Sequence, residues 1–592
     1  MKLLRLKIND PKGFRSLPCG FEHHFRNEWT LQNELANSEG FAPFVCAGPN
    51  GSGKSNLLEV LAAIFFQLEV LRVRRSFLPE VLQNAGEDFS PVAFELDYLI
   101  RPPVQYIRSN GLAWARVAVS KRQGESVRLH WENQGEFDSD AYEAFEASYA
   151  DNLIPQYVLG YSSGENEILS LPFFKLRFVQ FDEYWDALSR QLSYAGRPET
   201  RLAYLDNGFS QAILLCNLLF QDEATLQPFR EDIGIDALKE FRIIIKRSIE
   251  VSADQAAHLA SGDYAVPEYT QDGYFSDNPA ILLNPESGSY TVNLIYLLEG
   301  DKRSSIIDKL KRCATASYQD EAKDTLILDY WVNDATKEAF RNNFDNSPLE
   351  LFQAFQVLLI LNLYAVSDDL KTDLYRSKSH YVSETVPTLA SDQRIMRFKF
   401  VRFTKSGVSQ SMTLKELSDG EHQLLHSLGL CLLFRNTNSL FLLDEPETHF
   451  NPAWRASFIS RLRSCLAGQE GTSQEMLITT HSPFLISDSK PENVLIFEKS
   501  SDTGTVNIEH PEYNTLGASI NKITMTTFGK RETIGGHAHV LLEEWRTRFE
   551  HGEDVTKLIT EMDRELGDSV EKVLLVKAMI DRSLPKTEEG SR

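Results

Sequence analysis

Eight residues constrain this chain more than any others: Gly48-Pro49-Asn50-Gly51-Ser52-Gly53-Lys54-Ser55, which fits the phosphate-loop pattern GxxxxGK[ST]. That pattern carries meaning only between an apolar strand and a helix, and both flanks comply. Phe44, Val45, Cys46 and Ala47 read as the strand, and an amphipathic helix runs on from Ser55. Glycines let backbone N–H groups converge on phosphates without Cβ collisions, while the helix N-terminus adds its dipole. Lys54 supplies a point charge, and the Ser55 hydroxyl can bind Mg²⁺. The bland alternative is a glycine-rich strand–helix turn that binds nothing.

Three further segments lie downstream. Leu440-Phe441-Leu442-Leu443-Asp444-Glu445 is an apolar strand ending in two acids. Asp444 at the sheet edge can hold the Mg²⁺ shell, and Glu445 can orient or deprotonate an attacking water; a solvated strand end is the plain reading. Leu417-Ser418-Asp419-Gly420-Glu421-His422-Gln423 opens a helix, either as an anion site using Ser418 and Gly420 or as a simple N-cap. Thr479-Thr480-His481-Ser482 ends another apolar strand, where His481 can sense a terminal phosphate or serve as a structural hydrogen-bonder.

The order of textures along the chain sets its organisation. Residues 1–185 alternate strands and turns around the phosphate loop, with β-like segments at 92–100, 112–120, 127–131 and 157–161. Residues 186–390 read as helices between polar loops, with helical periodicity at 209–220, 237–251 and 349–366. Residues 391–510 return to strands and carry the later motifs, and 511–592 read as helices with a frayed end. These are the expected domain boundaries of one α/β core split by a large, compact, mostly helical insertion. No heptad pattern persists long enough for a coiled coil.

Composition narrows the partners. The net charge of −23 excludes non-specific coating of nucleic acid, so DNA contact needs a local basic patch. The densest basic run is Lys302, Arg303, Lys309, Lys311 and Arg312, which can contact DNA phosphates or form a solvated helix face, the plainer reading. The cysteines show no CxxC spacing, which disfavours structural zinc and a disulfide framework. The N-terminal MKLLRLKI alternates like a strand and lacks a signal peptide's apolar run, and the longest apolar stretch, near 357–366, contains Asn362. The expectation is a soluble cytoplasmic protein with no membrane partner. An apolar stripe on the last helix (Val573, Leu574, Leu575, Ala578, Met579) can dock a partner or fold back on the core.

Taken together, the four motifs resemble those of ABC-type ATPases of the RecF/SMC/OLD-like branch. In that family's terms GPNGSGKS looks like Walker A, LSDGEHQ like the signature, LFLLDE like Walker B, and TTHS like the switch histidine. The run PETHFNP after Walker B is closer to OLD and RecF-type proteins than to transporters, and GFRSL (Gly13–Leu17) makes Arg15 a candidate nucleotide neighbour. The resemblance implies an ABC-ATPase head: a mixed sheet with flanking helices and an antiparallel β lid. It also implies ATP and Mg²⁺ as ligands and a homodimer or higher homo-oligomer, in which Ser418 and Gly420 of one copy face ATP held by Lys54 of another. Gln156 and Gln180 are both candidates for the Q-loop glutamine. No DxD follows His481, so a built-in toprim nuclease is not expected. The compact insertion and the run 511–538 resemble the Septu-type (PtuA) ATPases of bacterial antiphage and restriction loci, which work with a separate HNH nuclease that cuts DNA. The alternative is a RecF/SMC-like repair ATPase acting on DNA without a dedicated nuclease.

Overall fold

The computed structural model describes the chain outside residues 37–40, 74–88, 104–106, 108–113, 138–151, 164–166, 190–198, 254–255, 257–279, 284–288, 301–305, 379–381, 383–384, 387–388, 467–472, 501–503, 530–533 and 584–592. Lys302 and Arg303 of the basic run, and the chain's frayed end, lie outside the described residues.

A seven-stranded sheet forms the centre. Its strands in chain order are β1 (Phe44–Ala47), β2 (Tyr157–Ser162), β3 (Leu202–Tyr204), β4 (Ser439–Asp444), β5 (Glu475–Thr480), β6 (Val494–Lys499) and β7 (Val506–Glu509). Their spatial order is β7-β6-β1-β5-β4-β2-β3, parallel except for β7, which runs antiparallel at one edge. Every residue of β1, β4 and β5 is buried, as the unbroken apolar runs of doubly covered strands require. Successive residues divide between two cores. Phe44, Cys46, Leu440 and Leu442 pack with the helix α1 (Lys54–Val70) and the N-terminal strands. Val45, Ala47, Phe441 and Leu443 pack with the helices Asn207–Phe220, Pro348–Ile360 and α2 (Asp419–Phe434).

The N-terminal strand Lys2–Ile8 belongs to a five-stranded antiparallel sheet with Glu22–His24, Phe94–Ile100, Ala115–Lys121 and Arg128–Trp131. The molecule is thus a mixed α/β fold, in which a mostly parallel sheet with flanking helices stands beside a separate antiparallel sheet. Its helical C-terminal extension, residues 536–583, has its own small core of Leu542, Trp545, Leu558, Met562, Leu575 and Met579. Of the expected stripe, Leu575 and Met579 fill that core, whereas Val573 and Leu574 are exposed.

The insertion departs from the sequence expectation at 237–251. This segment is not a helix but two strands, Ile235–Lys246 and Ser248–Val251. Ile235–Lys246 lies between Thr325–Trp331 and Met396–Lys405 in an antiparallel sheet. The β-branched run Ile243-Ile244-Ile245 suits a pleated surface, and long-range pairing decides between two readings that periodicity leaves close. The same sheet joins residues on both sides of the expected boundary at 390. Asp206 caps the helix Asn207–Phe220 through the N–H groups of Gly208 and Phe209, and Ser347 caps Pro348–Ile360. Pro348–Ala365 is long and apolar enough to cross a membrane, the one such helix among the described residues. Its Leu351, Phe355 and Leu358 are fully buried, and Asn362 exchanges two hydrogen bonds with the Met396 backbone.

Candidate nucleotide site

The parallel arrangement brings the carboxyl ends of β1, β4 and β5 side by side, so three motifs far apart in sequence share one sheet edge. Beyond β1 the loop turns sharply into α1. Gly53 caps that helix with a left-handed φ of 99°, and a Cβ there would lie 2.7 Å from Ser16 Oγ. Gly48 approaches the Phe497 carbonyl so closely that a Cβ would sit 2.4 Å from its oxygen. Asn50 and Gly51 are exposed, whereas Ser52, Gly53 and Lys54 are buried. Lys54 Nζ curls back onto the carbonyls of Gly48 and Pro49, 3.0 Å from each. Burial lowers the Lys54 pKa, opposed by the negative charges of Glu445 and Asp444.

Asp444 terminates β4 with 1% exposure. Its Oδ1 accepts from Ser55 Oγ and from Thr479 Oγ1, each at 2.7 Å. Burial raises the Asp444 pKa, and these two hydroxyls act in the opposite direction. Glu445 follows in a left-handed conformation, φ 48°, with its N–H donating to Thr479 Oγ1 at 3.0 Å. Its carboxylate lies 3.2 Å from His481 Nε2, and that contact holds the Glu445 pKa below its usual range. His481 Nε2 is also 3.1 Å from Lys54 Nζ. One ring nitrogen either donates to the carboxylate or accepts from the ammonium, so these contacts are alternatives.

The residues fit a nucleoside triphosphate and a divalent cation. Ser52 Oγ is buried at the loop with no hydrogen-bond partner among the described residues, an unmet polar group of the kind a bound phosphate oxygen would satisfy. Ser55 and Asp444 present two hard oxygens 2.7 Å apart, close to the roughly 3 Å separating neighbouring ligands in octahedral Mg²⁺ coordination.

The signature region lies apart from this cluster. Ser418 is the N-cap of α2 in a capping box with Glu421, and Glu421 is ion-paired to Lys405. Ser418 and Asp419 are exposed, but Gly420 is buried, and a Cβ on it would meet the His449 carbonyl oxygen at 2.7 Å. Among the described residues no hydrogen bond or ion pair joins Ser418 or Gly420 to residues 48–55, Asp444, Glu445 or His481. The glycine is therefore required locally by the packing of α2 against the chain after Walker B.

Arg15 is drawn away from the loop. It has a φ of 55°, and its guanidinium makes a two-pronged ion pair with Glu59 on α1, 2.8 Å at Nη2. Its neighbour Ser16 is the residue against Gly53, with its hydroxyl donating to Asn56 at 2.6 Å. Gln156 sits at the amino end of β2, where it exchanges hydrogen bonds with Asn438, at the sheet edge opposite Asp444. Gln180 is buried in the helix Ser170–Ser189. Neither glutamine joins the cluster.

Two positions escaped the motif reading. Thr479 ties Asp444 to the Glu445 N–H. Glu447 is buried, with Oε1 accepting from Thr480 Oγ1 and Oε2 lacking a partner among the described residues; burial pushes its pKa up to about 7. The signal for both was the duplication of residue types in TTHS and DEPE, where the first threonine and the second glutamate are the ones the motif reading passed over.

Residues 271–487 match the family described as "AAA domain, putative AbiEii toxin, Type IV TA system". That stretch contains Ser418, Asp444, Glu445 and His481 but not the phosphate loop. Protein ea59 of Escherichia phage lambda is 27% identical over 128 residues, 22% of this chain, and the match spans 23% of that relative's length. Among solved structures, an SMC head bound to the C-winged helix domain of ScpA shares 11% identity at a TM-score of 0.31, over 86% of this chain and 97% of that one. The SMC head domain of Thermotoga maritima shares 12% at 0.28, over 87% and 100%. The recombination mediator RecF with ATPrS shares 13% at 0.27, over 86% and 97%.

Proposed function

We propose that the chain is an ATP-driven switch of the SMC/RecF-like kind, which pairs head to tail through nucleotide and controls a partner nuclease. One observation carries the reading: at the carboxyl edge of the sheet the Ser55, Asp444 and Thr479 side chains and the Lys54, His481 and Glu445 side chains are joined into one cluster through the Glu445 N–H.

In this reading the loop N–H groups and Lys54 bind the β- and γ-phosphates of the ATP substrate, and Lys54 exchanges its two carbonyl partners for phosphate oxygens. Ser55 and Asp444 would hold Mg²⁺, which would supply positive charge against the phosphates. The hydroxyls of Ser55 and Thr479 favour the ionised form of Asp444 against the effect of burial. Glu445, kept deprotonated by His481, orients the attacking water and accepts its proton. His481 exchanges its hold on Lys54 or Glu445 for the terminal phosphate, so its position reports nucleotide state.

The exposed Ser418 at the start of α2 supplies the other half of the site to a second copy, making ATP the interfacial ligand. The apolar stripe at Val573 and Leu574 supports docking of a partner at the C-terminal extension. We assign that partner the chemistry of an HNH nuclease cutting DNA in an antiphage complex of the Septu type, acting in the cytoplasm. The test is sedimentation with and without ATP, followed by co-purification with any HNH protein encoded beside this gene. ATP-dependent dimers that retain the nuclease are expected. A monomer at saturating ATP refutes the switch, and DNA-stimulated hydrolysis with no nuclease retained favours a repair ATPase.

A further inference from the structure

A cavity of about 430 Å³ lies between the Phe14–Arg15 turn, the flank of α1, the start of the helix Ser170–Ser189 and the segment closing Asp368–Arg376. None of its lining residues belongs to the phosphate loop, Walker B or the switch, so it is a separate site from the one above.

Its charge is lopsided in a chain of net charge −23. Arg15, Lys175, Arg376 and Lys378 face one carboxylate, Glu59, and Glu59 is already held by Arg15 through two guanidinium nitrogens. Lys175, Arg376 and Lys378 have no carboxylate partner among the described residues. Lys175 Nζ donates to the Ser377 carbonyl at 2.8 Å. Burial, with the like charges of Arg15 and Lys378, lowers its pKa to about 8, the behaviour of a desolvated cation whose counter-ion is missing. The lining also includes the rings of Phe66 and Phe89, which meet edge to face at 5.1 Å.

We propose that this cavity is a second anion site, which binds a phosphorylated ligand with an aromatic body of mononucleotide size. The volume falls in the ordinary range of small-ligand pockets. The unpaired cations suit a phosphate, whereas the two rings suit a base. Arg15 precedes Ser16, the residue against Gly53, so the cavity adjoins the phosphate loop through a single turn.

Equilibrium dialysis of the full chain with labelled AMP, run beside ATP, tests this. Wild type and Lys54→Ala are expected to bind AMP equally, although the variant loses ATP. Lys175→Met combined with Arg376→Ala should weaken AMP at least tenfold and leave ATP unchanged. Lys378→Glu, at an exposed position where folding is not at stake, should also weaken AMP severalfold. Unlabelled pyrophosphate should compete less well than AMP. The proposal is overturned by absent AMP binding, by its loss in Lys54→Ala, by unaltered binding in the cavity variants, or by pyrophosphate competing as well as AMP. Failure of the phosphate-loop reading appears separately, as ATP binding indifferent to Lys54→Ala.

Discussion

Ser55 Oγ donates to Asp444 Oδ1 at 2.7 Å across 389 residues of sequence. Neither residue's environment explains the other locally. Ser55 opens the first turn of α1, and Asp444 ends a strand two positions away in the sheet. Their two oxygens are the ones that would hold a cation, and their meeting sets the consequences of change at the surrounding positions.

Lys54→Ala should remove nucleotide-dependent assembly. Its ammonium is the one charge held over the loop by Gly48 and Pro49, so ATP affinity should fall by about tenfold or more, consistent with a charge-assisted hydrogen bond of roughly 1.5–3 kcal/mol. Calorimetric titration with ATP checks this, and undiminished affinity would contradict the phosphate-loop assignment.

Glu445→Gln keeps the side chain's shape and removes its basicity. Hydrolysis should slow by about 10²-fold or more, while ATP binding persists and paired heads live longer. Single-turnover hydrolysis with size-exclusion lifetimes measures both. Wild-type turnover in this variant would remove Glu445 from the mechanism.

Ser418→Arg and Gly420→Ala separate two roles within one motif. Ser418 is exposed, so the arginine should cost the monomer only the helix cap, about 0.5–2 kcal/mol, and leave single-copy ATP binding intact yet block pairing. Gly420→Ala drives a methyl against the His449 carbonyl and should destabilise the monomer itself by about 1–3 kcal/mol. Normal pairing of Ser418→Arg would refute a composite site.

Glu447 predicts a pH dependence with a definite sign. Its folded pKa of about 7 exceeds the ordinary glutamate value, so the folded state binds this proton more tightly than the unfolded state. The stabilising contribution is fully present below about pH 4.3 and is lost as pH rises through about 7. Glu447→Gln, which mimics the protonated form, should therefore gain on wild type between pH 5 and pH 8, by on the order of 2–3 kcal/mol. Chemical denaturation at the two pH values measures the difference; equal gaps would show that Glu447 does not titrate with folding.

What the chain's sequence determined by itself was local. A glycine-rich turn between an apolar strand and a helix, an apolar strand ending in two acids, and a serine capping box are each written within about ten consecutive residues. Steric freedom at Gly53 and hydrogen-bonding capacity at Ser418 act over that distance. Tertiary structure decided everything that depends on a partner from elsewhere. Residues 237–251 became strands because Thr325–Trp331 and Met396–Lys405 flank them. Arg15 turned from the loop because Glu59 offers a buried carboxylate, and Gly420 is glycine because the His449 carbonyl leaves no room. Thr479 reaches Asp444 because parallel pairing sets those two residues side by side. Backbone and capping preferences are properties of short segments, whereas desolvation, charge pairing and strand register depend on which distant atoms exclude water from the same place.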